Sequence, residues 1–231
     1  MSDLMVKVSD AVRDLRYLLN RGYPRDSAVN FVANHYRFPL NQRHLLARCV
    51  FSRREVAKHR RKSVKASAVR GKRLGVDGYN VLITLESILI RKQVVRCDDG
   101  YVRDLRAIFG KYRVSPATPR ALTELLRIIA GAKPSYVELL FDKQVSRSGE
   151  LAGMVRRRLE QTKLKGDARA TGGVDLKLRS FDVAASSDRA IIGRAKAIWD
   201  IPAESLKGRT AKIVDLTALK LKNLKNEYYL T

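Results

Sequence analysis

The residues best placed to do chemistry are aspartates that end apolar runs. Leu74-Gly75-Val76-Asp77-Gly78-Tyr79-Asn80 reads as a short buried strand delivering Asp77 to its C-terminal end, then a glycine turn, then a helix start. Asn80 lies within reach of that acid. Leu139-Leu140-Phe141-Asp142 ends the same way, and Val183-Ala184-Ala185-Ser186-Ser187-Asp188 does so again. Ile213-Val214-Asp215 is a fourth candidate. In open parallel sheets the ligand crevice lies beyond the carboxyl ends of the strands. Several strand-end carboxylates in one sheet can hold a divalent metal for phosphodiester chemistry.

The elements that must position these acids are legible from residue 74 onward. Apolar runs near 74–77, 93–96, 136–141, 181–185 and 212–214 read as strands. The stretches near 80–90, 101–109, 119–129, 148–163 and 188–199 read as helices, with Ser148 capping one of them. Such alternation predicts an α/β domain over 74–216, a parallel sheet flanked by helices. A small all-helical module precedes it at 1–50. There Val12, Leu15, Leu18 and Leu19 recur at helical spacing, Gly22-Tyr23-Pro24 and Phe38-Pro39 interrupt, and Asp26 or Ser27 and then Asn41 can cap the next helices. Three short helices with tight turns fit either a DNA-reading helix-turn-helix or a plain packing or RNA-docking module. Residues 217–231 form a basic tail.

Residues 51–73 join the two parts as a basic helix or linker. Arg53, Arg54, Lys58, Arg60, Arg61, Lys62, Lys65, Arg70, Lys72 and Arg73 face a single acid, Glu55. In a helix Arg54, Lys58, Arg61 and Lys65 share one face, where like charges repel unless an outside anion neutralises them. The whole chain is as one-sided: 47 basic against 23 acidic residues give a net charge of +24 over 231 residues. Nucleic acid is the leading partner for such a surface, because neutralising phosphates releases counterions. Phe141-Asp142-Lys143-Gln144-Val145-Ser146-Arg147-Ser148 adds a strand end, a loop with Lys143 and Arg147, and a helix N-terminus. It reads as a phosphate seat or as an ordinary strand-to-helix loop. Arg156, Arg157, Arg158, Lys163 and Lys165 extend the cationic surface.

The motifs resemble those of the PIN-like nuclease superfamily, especially its NYN branch. Val76-Asp77-Gly78-Tyr79-Asn80 looks like that family's first motif. Val174-Asp175-Leu176-Lys177-Leu178 followed by Ser186-Ser187-Asp188 is similar to its later ones. The whole chain also resembles an archaeal family that joins a helical N-terminal piece to such a domain. The likeness covers roughly residues 72–216. It implies a PIN/NYN-like fold, a Mg²⁺ or Mn²⁺ site and metal-assisted RNA hydrolysis. Asp77 and Asp188 would be direct ligands, Asp175 or Asp142 the third acid, and Asn80 the group orienting water or phosphate. Glu86 is the candidate for a helix-borne acid. Asp98-Asp99 either extends the acidic site or caps a helix at Tyr101, and Asp215 is either the family's last acid or a helix cap.

The rival readings are a non-catalytic protein docked on ribosomal RNA or ribosomal particles, and a DNA-binding regulator working through residues 8–65. Other chemistry has no signature here. His35, His44 and His59 lack ligand spacing with Cys or Glu, so zinc is not expected. Neither a Ser-His-Asp order nor GxGxxG occurs. Cys49 and Cys97 read as reduced thiols. Trp199 and most phenylalanines read as core, whereas Tyr79, Tyr101 and Tyr112 could stack on bases. No run of about 18 apolar residues exists, so no membrane span is expected. Met1–Met5 lacks the pattern of a secretory signal, so the expected location is cytoplasmic.

Overall fold

The computed structural model describes residues 3–106 and 111–219. Four helices come first: α1 (Asp3–Asn20), α2 (Arg25–His35), α3 (Leu40–Cys49) and α4 (Arg53–Lys62). On α1, Val8, Ala11, Val12, Leu15 and Leu19 recur every three or four residues and pack on Val29, Val32 and Ala33 of α2 and Leu45, Leu46 and Cys49 of α3. Gly22, at φ 84°, turns the chain after α1. Pro24 and Pro39 hold the N-cap positions of α2 and α3 without side-chain caps, so Asp26, Ser27 and Asn41 do not act as caps. A capping box opens α4: the Ser52 hydroxyl accepts the Glu55 N–H and the Glu55 carboxylate accepts the Ser52 N–H.

The chain continues as β1 (Ser63–Val64), β2 (Arg73–Asp77), α5 (Gly78–Leu89), β3 (Val94–Arg96), β4 (Val102–Asp104), α6 (Thr118–Ala132), β5 (Tyr136–Asp142), α7 (Ser148–Glu160), β6 (Gly166–Thr171), α8 (Val174–Lys177), β7 (Val183–Ala185), α9 (Arg189–Arg194), β8 (Ile198–Trp199), α10 (Ile201–Ser205) and β9 (Ile213–Asp215). Six strands form one parallel sheet in the order β1-β8-β7-β2-β5-β6. Helices cover both faces, as the alternation of apolar runs implies. Leu82, Leu85, Leu122, Leu125, Leu151 and Val155 pack with Leu74, Val76, Val137 and Leu139 on one side. Leu178, Phe181, Ile191 and Ile192 pack with Leu140, Ala184 and Ile198 on the other. Gly75 permits that second layer: a Cβ there would meet the Phe181 ring at 2.5 Å. Topology then fixes the crevice. From β2 the chain builds outward through β5 to β6, returns to pair β7 with the other side of β2, and builds outward again to β8. The direction reverses between β2 and β7, which is where doubly wound sheets open a crevice.

A second sheet, β4-β3-β9, joins β3 and β4 antiparallel and β3 and β9 parallel. Val95 of β3, with Cys97 and Leu216 just beyond the ends of β3 and β9, packs into the same core as α1–α3. The helical segment is therefore fused to the sheet domain through a shared hydrophobic cluster. No helix among the described residues is long and apolar enough to cross a membrane.

Several sequence expectations are corrected. The helix expected over 101–109 is instead strand β4 at 102–104, paired with β3 after a turn at Gly100 (φ 93°); residues 107–110 lie outside the described residues. The helix expected to run from 188 to 199 stops at Arg194. Ile198 and Trp199, a β-branched residue and an aromatic, form β8 between β1 and β7. The last strand, β9, belongs to the small sheet rather than the main one. Strand β6 carries Asp167 and Arg169 on an edge, and that polarity hid it. Helix α4 ends at Lys62, so Lys65 does not continue the face of Arg54, Lys58 and Arg61. Of the tail expected at 217–231, residues 220–231 lie outside the described residues.

Candidate functional site

Side chains alternate across a strand with period two. Leu74 and Val76 face α5–α7, so Asp77 points to the other face with Gly75. On β5, Leu140 belongs to that second face, so Asp142 shares it. Asp188, the N-cap of α9, covers the same side. Three expected acids thus meet at the C-terminal ends of the adjacent strands β7, β2 and β5.

Hydrogen bonds organise this edge. Asp77 caps α5, accepting the Asn80 N–H at 3.4 Å, and its Oδ2 accepts the Ser186 hydroxyl at 2.9 Å. Asn80 Oδ1 accepts the N–H and hydroxyl of Ser187 at 2.8 and 3.0 Å. Ser186 Oγ also accepts the Asp188 N–H at 3.0 Å. Asp188 uses Oδ1 to accept the N–H groups of Ala190 and Ile191 at 2.7 and 3.2 Å; among the described residues Oδ2 has no donor. Asp142 is half-buried and accepts the Gln144 N–H at 2.9 Å. The Asp-Gly-Tyr-Asn string now has a reason at each position. Asp77 caps α5 and binds Ser186 at the acidic edge. At Gly78 a Cβ would strike the Phe141 ring at 2.4 Å, so only glycine fits. Tyr79 is buried between the Tyr112 and Phe141 rings, and Asn80 ties α5 to the end of β7.

The electrostatics mark Asp77 as the central acid. Its carboxyl is pushed up to about 7: burial does most, the Asp188 and Asp142 carboxylates add to it, and the Ser186 and Asn80 hydrogen bonds oppose it. Among the described residues no three His, Cys, Asp or Glu side chains stand close enough to cage an ion. The donor set still fits a hard cation of another kind. Mg²⁺ keeps several waters and needs only one or two carboxylates, with substrate phosphates completing its shell. Asp77 with Asp188, and Asp142 beside them, can supply that.

The other expected acids lie elsewhere. Asp175, on α8, is ion-paired with Arg194 of α9 and is not among the main influences on Asp77. Glu86 is fully buried, accepting Tyr112 Oη and Thr118 Oγ1 at 2.6 Å each and pairing with Arg106. Asp98 and Asp99 neither join the acidic edge nor cap a helix at Tyr101. Asp98 binds Arg16 and accepts the Phe51 N–H, and Asp99 pairs with Arg103. Asp215 accepts the N–H groups of Thr217 and Ala218, a turn cap.

The cations do not all flank this edge: Arg70 and Lys72 precede β2 and Arg73 opens it, so they lie at the end of the strand opposite Asp77. Arg53, Arg54, Lys58, Arg60, Arg61, Lys65, Arg70, Lys72 and Arg73 are exposed; Lys62 is half-buried and donates to Gly193 O at 2.8 Å. Helix α4 lies along α9, with Arg189 3.7 Å from Glu55 and Lys62 at Gly193. The end of α4 carrying Arg53 and Arg54 is therefore the end near Asp188. Lys143 lies against Gly172 at the same sheet edge. Arg147 is held by Glu150, at 2.6 Å, and occupies the N-cap of α7 in place of Ser148. Tyr79, Tyr101 and Tyr112 are buried and cannot stack on bases. Sequence reasoning took Ser186 and Ser187 only as part of a motif. The Ser-Ser-Asp string at a strand end was the available signal for their role as donors to Asp77 and Asn80.

Fold and site together define a parallel α/β domain with an acidic edge at the C-terminal ends of β7, β2 and β5, fused to a basic helical segment. Residues 66–204 match the family described as a domain of unknown function, DUF5616, and residues 7–62 match the protein of unknown function family DUF434. The chain belongs to the DUF5616 family, with the DUF434 segment ahead of it. It is similar to the uncharacterised protein MJ0935 of Methanocaldococcus jannaschii, 34% identical over 204 residues that cover 87% of this chain and 98% of that protein. No solved structure matches the chain.

Proposed function

We propose that this protein is a divalent-metal-dependent ribonuclease of PIN/NYN type, acting on structured or ribosomal RNA. The observation that carries the reading is the convergence of Asp77, Asp142 and Asp188 on one face at the ends of three adjacent strands, where the sheet reverses direction. Asp77 and Asp188 are the residues that would hold Mg²⁺ or Mn²⁺, with Asp142 completing the acidic edge. Bound there, the ion supplies an activated water and offsets charge on the leaving oxygen. With Asn80 Oδ1 committed to Ser187, the Asn80 amide NH₂ is the donor for a phosphate oxygen or water. Arg53, Arg54 and Lys143 draw the RNA backbone to the edge. Asp175 has a structural place in this scheme, bound to Arg194.

The test is cleavage of a panel of RNAs with Mg²⁺ or Mn²⁺. Activity should stop with chelator and be abolished in Asp77→Asn, which should bind RNA as well as or better than wild type. A second reading, a non-catalytic protein docked on ribosomal particles, is favoured by the net charge of +24 over 231 residues. It predicts an inert wild type whose particle binding survives Asp77→Asn but fails when the α4 cations are removed.

A further inference from the structure

A buried polar chain runs from the helical segment to the acidic edge. His59, on α4, donates from Nδ1 to Asp99 Oδ2 at 2.8 Å. Asp99 accepts both terminal nitrogens of Arg103 at 2.7 Å each. Arg103 Nε then donates to the Ser187 carbonyl at 2.8 Å. All three side chains are buried. Phe51 lies against the guanidinium at 5.0 Å and Tyr101 at 5.9 Å.

The third contact of Arg103 falls on a particular peptide. Ser187 is the residue whose N–H and hydroxyl hold Asn80, and it sits between Ser186, which holds Asp77, and Asp188 itself. The carbonyl side of this loop is anchored by Arg103, and its hydroxyl side by Asp77 and Asn80. A buried ion pair is a weak device for stability, since apolar packing of similar volume often does as well. A planar guanidinium is, however, suited to gripping a carboxylate with two nitrogens and a carbonyl with a third, which an ammonium cannot reproduce. The chain also crosses the seam between the two matched families. His59 lies in residues 7–62, whereas Asp99, Arg103 and Ser187 lie in residues 66–204.

We infer that Arg103 is a positioning residue for the acidic site, and that the helical segment completes that site by fixing Arg103 through His59 and Asp99. The inference rests on the metal-site reading above. Without the guanidinium contact the Ser187 carbonyl is released and Asp188 is no longer held at a fixed separation from Asp77. Groups that orient ligands in this way change metal affinity by about 10–100-fold when removed.

The experiment uses the full chain and Mn²⁺ alone, with free Mn²⁺ followed by electron paramagnetic resonance. Wild type should bind, and Asp77→Asn should not. Arg103→Lys keeps the charge beside Asp99 but loses the three-point grip. It should remain folded by circular dichroism and cooperative unfolding, yet bind Mn²⁺ about 10–100-fold more weakly. If Arg103→Lys fails to fold, His59→Ala and His59→Gln take its place: Ala should weaken Mn²⁺ binding, and Gln, which restores a donor to Asp99, should recover it. A folded Arg103→Lys, or a His59→Ala, with wild-type Mn²⁺ affinity overturns the positioning role while leaving the metal site intact. A wild type that does not bind Mn²⁺ overturns the metal reading, and the positioning role with it.

Discussion

Replacing Asp99 by Asn probes the joint between the helical segment and the sheet domain. Burial alone pushes the Asp99 carboxyl up, but the Arg103 charge and hydrogen bonds, with His59, hold it at about 2, against an ordinary value of 3.8. That difference corresponds to about 2–3 kcal/mol, at about 1.36 kcal/mol per unit. A second route gives a similar size: breaking a buried pair by removing one partner costs about 3–5 kcal/mol, because the other charge stays buried. Asn keeps the volume and one acceptor but leaves Arg103 uncompensated, so the expected loss is about 2–5 kcal/mol. In a chain of this size each kcal/mol moves Tm by about 2–4 °C, so the variant should melt about 4–20 °C below wild type near pH 7. The pH dependence has a definite sign. A carboxyl depressed in the folded state stabilises fully above its unfolded pKa near 4, and that contribution fades as pH falls toward 2. The gap between wild type and Asp99→Asn should therefore narrow in acid. Thermal unfolding from pH 7 down to pH 3 checks both statements. A variant within about 2 °C of wild type at pH 7, or a gap that widens in acid, refutes the claim that Asp99, gripped by Arg103 and bonded to His59, stabilises this joint.

Three further outcomes are expected. Gly78→Ala forces a methyl toward the Phe141 ring, 2.4 Å away, and should cost about 1–3 kcal/mol in urea unfolding, partly recovered by Phe141→Leu in the same chain. Asp77→Asn should be more stable than wild type at pH 8 by about 1–4 kcal/mol, since a buried acid held near 7 opposes folding once ionised; the advantage should grow from pH 4 to pH 7 and then level, as read from urea midpoints at stepped pH. Replacing Arg54, Lys58 and Arg61 by Ala should lower the slope of log affinity for duplex RNA against log salt by about 2–3 in an anisotropy titration, and an unchanged slope would mean that α4 makes no phosphate contact.

What the sequence determined by itself was periodicity and its consequences. Apolar runs ending in Asp77, Asp142 and Asp188 are local statements: a strand buried on both faces must be apolar, and an acid at its end must leave the core. Those residues therefore specified a parallel α/β domain and nominated its acidic edge, just as the spacing of Val12, Leu15 and Leu19 specified a helix. Short or polar elements escaped. The two-residue strands β1 and β8 carry no period, and β6 is too polar to read as buried. Tertiary structure alone decided which acids meet. Strand order and register put Asp77 beside Asp188 and Asp142 and sent Asp175 to Arg194, because sheet pairing is a long-range choice that no local pattern encodes. It also decided that Asp98 and Asp99 would bind the helical segment, and that Arg103 would reach Ser187 across 84 residues of sequence. A buried charge must find its partner wherever the fold supplies one, and only the folded chain says where that is.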